Sequence, residues 1–160
     1  MLPRVYIETS IPSFYFETRL EPEMQARRLW TRHWWASARA AFELTTSLAV
    51  IEELGRGNYP ARGRALALVK NLLLLPFEPA IAEIVDVYIG QHVMPRDPVG
   101  DALHLALASY HKCDFLLTWN CQHLANANKF GHIKRVNTKL GLHVPTLITP
   151  LELGGAYDAN

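Results

Sequence analysis

The chain has 160 residues, of which 49% are hydrophobic and 19% charged, and its formal net charge at pH 7 is +1. This composition is typical of one folded domain of the α/β or α class, and it excludes a disordered chain, a collagen-like repeat and a small disulfide-dependent scaffold. Because 16 Lys and Arg residues nearly balance 15 Asp and Glu residues, net charge alone gives no reason for nucleic-acid binding. Any site for a polyanion has to be local.

Short apolar runs alternate with longer helical patterns along the chain, which is typical of a parallel sheet covered by helices. In chain order, the patterns predict a strand at 4–7, helices at 11–16 and 21–41, a strand at 42–46, a helix at 48–55, a helix ending at Lys70, a strand at 72–77, helices at 80–93 and 97–111, a strand at 114–119, a helix at 129–140 and a strand at 145–149. These elements predict a three-layer α/β/α sandwich with a central, mostly parallel sheet. Because no linker or repeat interrupts them, we expect a single domain over residues 1–153, with residues 154–160 as a frayed tail.

Several helix starts are indicated by residues that commonly accept a hydrogen bond from the first turn. Ser10, Ser47 and Asp97 occupy such N-cap positions, and Pro98 follows Asp97 as the first helical residue. In the helix at 21–41, residues spaced three or four apart predict an apolar face made of Trp30, Trp34, Ala38 and Ala41.

We expect a cytosolic protein. Glu8 interrupts the N-terminal apolar stretch, and no later run approaches the roughly 18 apolar residues of a membrane span. Cys113 and Cys121 flank a predicted strand whose extended length separates them by about 26 Å, far more than the roughly 5.5 Å of a disulfide. Both are therefore expected to be free thiols, as in a reducing compartment.

Acidic and amide side chains are predicted to meet at one edge of the sheet. Glu8 follows the first strand and Asn120 follows the fourth, and parallel sheets bind ligands at the carboxyl ends of their strands. Helices that begin near the same edge bring Asp101 and one of the neighbours Glu52 and Glu53. Oxygen ligands of this kind suit Mg²⁺ or Mn²⁺. Taken one at a time, each of these residues is more often a helix cap or a solvated surface group.

Four short motifs contain these residues and follow one another in the chain: Glu8-Thr-Ser, Ser47-x₅-Glu53-Leu54, Asp101-Ala-Leu-His-Leu-Ala and Leu117-Thr118-Trp119-Asn120. In this order the motifs resemble the PIN-domain (PilT N-terminal) family, especially its VapC-type toxin ribonucleases. The resemblance implies an endoribonuclease that uses Mg²⁺ or Mn²⁺ to activate water for in-line attack on a phosphodiester of single-stranded RNA. It implies Glu8, Glu53 and Asp101 as catalytic residues, and the same three with Asn120 as metal ligands. It also implies an antitoxin protein and a second copy of the chain as partners.

Two positions differ from the usual family pattern. Glu8 and Asn120 stand where the family commonly has aspartate, so that one ligand is a methylene longer and the other is neutral. These differences motivate an alternative hypothesis, a PIN-like module with a degenerate site that binds RNA or protein without hydrolysis. A phosphoacceptor receiver domain has a similar sheet, but the sequence lacks the paired acids after the first strand and the lysine near the fifth that such a domain needs.

Three residues near these motifs have two interpretations each. The helical pattern does not decide between Glu52 and Glu53, because both border the apolar stripe of their helix; the family spacing favours Glu53. His104 lies three residues after Asp101 on the same helical face and could orient its carboxylate, although a satisfied core histidine is the more common case. Trp119 could stack on a base, although an aromatic at a strand end more often packs.

Two segments without acidic residues, 24–42 and 115–151, carry four positive charges each. The first contains a stripe at spacings of four, three and four residues, Arg28, Arg32, Trp35 and Arg39, and such a combination of cations and an aromatic holds single-stranded nucleic acid. A solvated helix face or a protein-partner surface is an equally good interpretation of this stripe. The second segment contributes Lys129, Lys134, Arg135 and Lys139. Together the two segments predict a nucleic-acid groove beside the acidic pocket.

Overall fold

Five strands and eight helices are formed by the residues that the computed structural model describes, which are 1–96 and 100–158, without the side chains of Arg39 and of residues 155–158. The strands form one parallel sheet in the order β3-β2-β1-β4-β5, with the bounds β1 (Arg4–Ile7), β2 (Glu43–Thr46), β3 (Leu73–Leu74), β4 (Phe115–Leu117) and β5 (Thr146–Ile148). The helices are α1 (Ser10–Tyr15), α2 (Pro22–Ala41), α3 (Leu48–Gly55), α4 (Arg62–Val69), α5 (Pro79–Gly90), α6 (Gly100–Tyr110), α7 (Ala127–Lys139) and α8 (Pro150–Asp158). The predicted three-layer α/β/α sandwich is confirmed, and its strand pairs are all parallel.

Strand β1 lies at the centre of the sheet because both of its faces are apolar. Val5, Tyr6 and Ile7 are completely buried, and a strand that is covered on both faces is expected to be continuously hydrophobic. β1 pairs with β2 through Val5 and Leu44, and with β4 through Ile7 and Leu117. Since this register aligns Ile7 with Leu117, the residues that follow the two strands meet at the same edge of the sheet.

The direction in which strands are added reverses between β1 and β4. The chain places β2 and β3 on one side of β1 and then returns to place β4 and β5 on the other side. At such a switch point, the connections leave neighbouring strands toward opposite faces, and a crevice opens at the carboxyl ends. Glu8 and Thr118 lie at this crevice, where the backbone N–H of Glu8 donates to the carbonyl of Leu117 at 3.2 Å.

Helix α2 uses its aromatic residues for packing. Trp34 and Ala38 are 3% and 1% exposed, as predicted. Trp30 keeps 37% of its surface exposed and stacks on Trp119, with the ring centroids 6.1 Å apart. Trp35 is buried as well, although the sequence predicts it on the outer, basic face of the helix.

Two predicted helix caps are absent, and one helix of the structure was not predicted. Ser10 and Ser47 stand at helix starts, but neither hydroxyl caps its helix, because each is bonded to a side chain at the crevice. Helix α8 occupies Pro150–Asp158, where the sequence predicts no helix. The predicted N-cap at Asp97, with Pro98 after it, lies outside the described residues.

The two predicted free thiols are confirmed, with Cys113 buried and Cys121 exposed. Burial raises the pKa of Cys113 to about 11, so this side chain stays protonated at neutral pH. Over residues 1–96 and 100–158, no helix has both the length and the apolar character needed to cross a membrane.

Candidate functional site

Glu8 is fixed at the carboxyl end of β1 by two hydroxyl groups and a backbone amide. Its Oε1 accepts hydrogen bonds from the hydroxyls of Ser10 and Thr118, both at 2.6 Å. Its Oε2 accepts from the backbone N–H of Ser10 at 3.0 Å. Because a carboxylate offers about four acceptor positions, Oε2 keeps capacity for a further partner.

Asp101 lies in the first turn of α6 and faces the same crevice. Its Oδ1 accepts a hydrogen bond from Asn120 Nδ2 at 3.0 Å, whereas Oδ2 is buried and has no hydrogen-bond partner among the described residues. Burial raises the pKa of this carboxyl, and the negative charge of Glu8 raises it further. Because a buried acceptor without a partner destabilises the fold, Oδ2 is the atom of the crevice that most clearly calls for an external ligand.

Asn120 supports Asp101 with its amide nitrogen and uses its oxygen elsewhere. Its Oδ1 accepts from the backbone N–H groups of Gln122 and His123 at 3.2 and 3.0 Å, which shapes the loop after β4. Since these donors require an acceptor, they identify the oxygen of the amide and leave Nδ2 facing Asp101. In this arrangement Asn120 donates to Asp101, and its own oxygen is engaged by the loop.

Glu53 is the member of the Glu52–Glu53 pair that reaches the site. Glu52 is exposed, whereas Glu53 accepts hydrogen bonds from His104 Nε2 at 2.8 Å and from the Thr9 hydroxyl at 2.7 Å. Glu53 lies three residues after the buried Val50, on the inner face of α3. Burial alone would raise the pKa of Glu53, but the hydrogen bond and charge of His104, together with the Thr9 hydroxyl and the charge of Arg56, lower it.

His104 connects Glu53 with the centre of the sheet. Its side chain is 1% exposed, and its Nδ1 lies 2.7 Å from the hydroxyl of Tyr6, which lies 2.7 Å from the hydroxyl of Ser47. Burial alone would lower the pKa of His104, but the bond to Glu53 and the surrounding carboxylates raise it. The sequence suggests Asp101 as the carboxylate that His104 orients; in the structure it is Glu53.

The three predicted carboxylates, those of Glu8, Glu53 and Asp101, all lie within electrostatic reach of His104. In the described part of the chain, no group of three His, Cys, Asp or Glu side chains has the geometry of a metal site. The partnerless Oδ2 of Asp101 and the spare acceptor capacity of Glu8 are nevertheless oxygens of the type that Mg²⁺ and Mn²⁺ prefer. The chemistry of these oxygens, though not their arrangement, is of the kind that a divalent cation takes.

Lys129 is a cation of α7 that faces this cluster. Its Nζ donates to the sulfur of Met94 at 3.7 Å, and its charge lies within electrostatic reach of Asp101. Burial lowers the pKa of Lys129, and the negative charge of Asp101 opposes that change. Helix α7 continues for ten residues to Lys139, about 15 Å farther along its axis, so the later cations of the second basic segment lie farther from the crevice.

The predicted basic stripe of α2 loses its aromatic member in the fold. Trp35 is 7% exposed and packs edge-on against Tyr15, with the centroids 6.3 Å apart, so it offers no face to a base. Arg32 also turns toward Tyr15, where its Nε donates to the carbonyl at 2.7 Å and its guanidinium lies over the ring. Arg28 is exposed, and the side chain of Arg39 lies outside the described residues.

Trp119 packs behind the site. It is 6% exposed, and its Nε1 donates to the hydroxyl of Thr31 at 2.7 Å. Its ring contacts those of Trp30 and Phe14, and the guanidinium of Arg27 lies over it. Of the two interpretations that the sequence left open for this residue, packing is confirmed.

Several polar residues of the crevice had no functional role in the sequence analysis: Tyr6, Thr9, Ser10, Ser47 and Thr118. A signal was available for Thr9 and Ser10, because they directly follow a buried strand at the end where ligands bind. Tyr6 gave no such signal, since an aromatic residue within an apolar strand is typical of a core.

No protein-family profile matches the chain, and no curated protein matches it at a significant level. A functional assignment therefore depends on the contacts at the crevice and on the order of the four motifs.

Proposed function

We propose that the protein is a divalent-metal-dependent endoribonuclease of the PIN type, which hydrolyses phosphodiester bonds of single-stranded RNA. The observation that carries the proposal is the buried Oδ2 of Asp101, which has no partner in the described part of the chain and lies beside Glu8 at the switch point of a parallel sheet. The order of the motifs that contain Glu8, Glu53, Asp101 and Asn120 supports the same class of enzyme.

Asp101 and Glu8 would hold the cation, and Glu53 would complete the acidic set from α3. When bound, the metal neutralises charge that develops on the phosphate and lowers the pKa of its water. Ser10 and Thr118 fix the orientation of Glu8, so ligand binding requires little reorganisation of that side chain.

Lys129 supplies a contact for the phosphate. Its described partner, the sulfur of Met94 at 3.7 Å, is a weak acceptor, and the ammonium group therefore keeps its capacity to bind a phosphate oxygen. A cation at the rim of an acidic cluster would offset the repulsion between the carboxylates and an RNA strand.

The test is cleavage of a single-stranded RNA in Mg²⁺ or Mn²⁺, with Asp101→Asn as the diagnostic variant. We expect the wild-type protein to cleave with metal and to be inactive in EDTA. Asp101→Asn should lower kcat by about 100-fold or more, because it removes the charged oxygen on which the site depends. Calorimetry should detect Mn²⁺ binding to the wild-type protein and none to this variant.

Asp86→Asn is the matched control, since Asp86 is exposed on α5 and outside the crevice. It should keep the kcat and the Mn²⁺ affinity of the wild-type protein. Cleavage by the wild-type protein in excess EDTA, or full activity of Asp101→Asn, would contradict the proposal.

A second candidate is a PIN-like module that binds RNA or protein without hydrolysis. It is favoured by the oxygen of Asn120, which is engaged by loop amides, and by the lack of a three-residue metal group within the described residues. Such a module would bind RNA equally well in EDTA. It would also give no Mn²⁺ binding heat that disappears with Glu8→Gln.

The motif resemblance extends the proposal to the cellular setting. It would make the protein the cytosolic toxin of a toxin–antitoxin pair, with a short antitoxin protein and a second copy of the chain as partners. A short, overlapping upstream reading frame whose product suppresses cleavage would support the antitoxin, and light scattering of the purified protein tests the dimer.

A further inference from the structure

The carboxylate of Glu53 is held at both of its oxygens. Thr9 donates to Oε2 at 2.7 Å, and His104 Nε2 donates to Oε1 at 2.8 Å. The Glu53 side chain is 26% exposed, so without these bonds its carboxylate would be free to rotate in solvent. The two donors belong to the segment after β1 and to α6, which are the elements that also carry Glu8 and Asp101. Glu53 is thereby fixed relative to both.

His104 is itself oriented by a buried chain of hydrogen bonds. Because a carboxylate only accepts, the proton between His104 and Glu53 lies on Nε2 of the imidazole. Its Nδ1 is 2.7 Å from the hydroxyl of Tyr6, and that hydroxyl is 2.7 Å from the hydroxyl of Ser47. Every member of this chain has a partner, which is the condition under which a polar network in a core specifies one arrangement.

The carboxylate of Glu53 occupies space that is free because Gly100 has no side chain. A Cβ on Gly100 would lie 2.8 Å from Glu53 Oε1 and 4.0 Å from His104 Nε2. The first of these distances is shorter than real Cβ contacts allow. Since the atom in conflict is the end of a flexible side chain, a larger residue at this position would displace the carboxylate and leave the backbone in place.

We propose that His104 is a positioning residue which, oriented by Tyr6 and given room by Gly100, holds the carboxylate of Glu53 where it completes the acidic site. This inference rests on the proposed nuclease function, because it assigns a role to a contact within the same site. Partners that orient the ligands of a metal are needed for its affinity and its activity. In this site the hydrogen bonds from Thr9 and His104 already orient the carboxylate of Glu53.

Gly100→Ala and His104→Leu test the proposal from two directions. The first displaces Glu53 without removing a hydrogen-bonding group, and the second removes the donor while filling its space with an apolar side chain. We expect each to lower kcat and Mn²⁺ affinity by about 10- to 100-fold, with little change in KM for RNA. His104→Gln should recover part of the loss, because its amide can donate to Glu53.

Gly90→Ala is the matched control, since Gly90 ends α5 and an added Cβ there meets nothing within 4 Å. It should keep the wild-type kcat and Mn²⁺ affinity. Thermal unfolding separates positioning from a structural role. If His104→Leu lowers Tm but leaves kcat per folded molecule unchanged, the positioning role is overturned.

NMR of the imidazole nitrogens gives a readout without metal or RNA. We expect His104 Nε2 to carry a proton, and we expect the Nε2 signal to shift in Glu53→Gln and Gly100→Ala but not in Gly90→Ala. An Nε2 signal that Gly100→Ala leaves unchanged overturns the proposal. If the wild-type protein neither binds Mn²⁺ nor cleaves RNA, the nuclease function fails. If it is active and both Gly100→Ala and His104→Leu match it, the positioning role alone fails.

Discussion

Asp101 is a residue at which the stability of the fold and the proposed chemistry oppose each other. Burial and the charge of Glu8 raise its pKa, and its Oδ2 lacks a partner among the described residues. An Asp in an unfolded chain has a pKa of about 3.9, so the folded protein binds more protons than the unfolded chain between that value and the raised one. Stability contributed by this group is therefore present in acid and falls as the pH rises through that window.

Asp101→Asn should stabilise the metal-free protein at neutral pH, because it removes a buried negative charge that the charge of Glu8 repels. The gain should shrink as the pH falls and disappear near about pH 3, where Asp101 is protonated in both states. Urea unfolding in EDTA across this pH range measures the difference. The exposed control Asp86→Asn should show no such pH dependence. If the stabilisation by Asp101→Asn instead increases as the pH falls, the expected pH dependence is wrong.

At the residue scale, the sequence predicted which carboxylates converge but not how they are held. Glu8 and Asp101 could be predicted from the sequence, because a strand end and a helix start place them at one edge of the sheet. The motif spacing added Glu53. The hydrogen-bond partner of His104 could not be predicted from the sequence, because Glu53 is 51 residues away in the chain. Local helical spacing pointed to Asp101 instead.

Helix α6 ends with a left-handed residue that is not glycine. Lys112 has a φ of 56°, and the N–H groups of Lys112 and Cys113 donate to the carbonyls of Ser109 and Ala108. This is the Schellman arrangement, in which glycine is the usual residue at that position. A side chain in this conformation costs about 1–2 kcal/mol through the contact of its Cβ with the following carbonyl.

Lys112→Gly should stabilise the protein by about 0.5–1 kcal/mol, because the relieved contact outweighs the added entropy of the unfolded chain. Lys134→Gly is the comparison, since Lys134 is exposed in the middle of α7. There, glycine should destabilise by about 1 kcal/mol. Chemical denaturation measures the change in the free energy of unfolding for both variants. If both substitutions destabilise the protein, the left-handed conformation of Lys112 does not carry the expected cost.

At the element scale, the strands were predictable because their signals are local. All five predicted strands are present, although the third is reduced to Leu73–Leu74. Helix α8 was not predicted, because two glycines lower its intrinsic helix propensity and its packing against α2 appears only in the folded chain. Ser10 and Ser47 failed as caps for the same reason, since their hydroxyls bind side chains from distant parts of the sequence.

At the scale of the whole molecule, the net charge of +1 hides two basic helices. α2 and α7 both begin near the crevice: Arg27 donates to the carbonyl of Trp119, and Lys129 faces Asp101. Each helix then leads away, and the roughly 15 Å from Lys129 to Lys139 exceed the Debye length of about 8 Å at physiological ionic strength. The cations at the helix starts should therefore dominate RNA binding at the site.

Lys129→Ala should weaken RNA binding at every sequence and reduce the slope of log K against log salt by about 0.7, the value for one phosphate contact on a single strand. Lys139→Ala, at the far end of α7, should leave the slope nearly unchanged. Fluorescence anisotropy at several salt concentrations measures both slopes. Equal effects of the two variants would instead indicate diffuse binding along the whole helix.

The hydrogen bond from Thr118 to Glu8 spans 110 residues of sequence, and this separation sets the order in which the crevice is built. During synthesis, β1 and the Glu8 carboxylate are made more than 100 residues before β4, the strand that pairs with β1. A nascent or truncated chain that ends before Thr118 lacks both the hydroxyl that fixes Glu8 and the Asn120 amide that fixes Asp101. In the proposed ribonuclease, the acidic site would thus be complete only after β4 and the residues that follow it have been made.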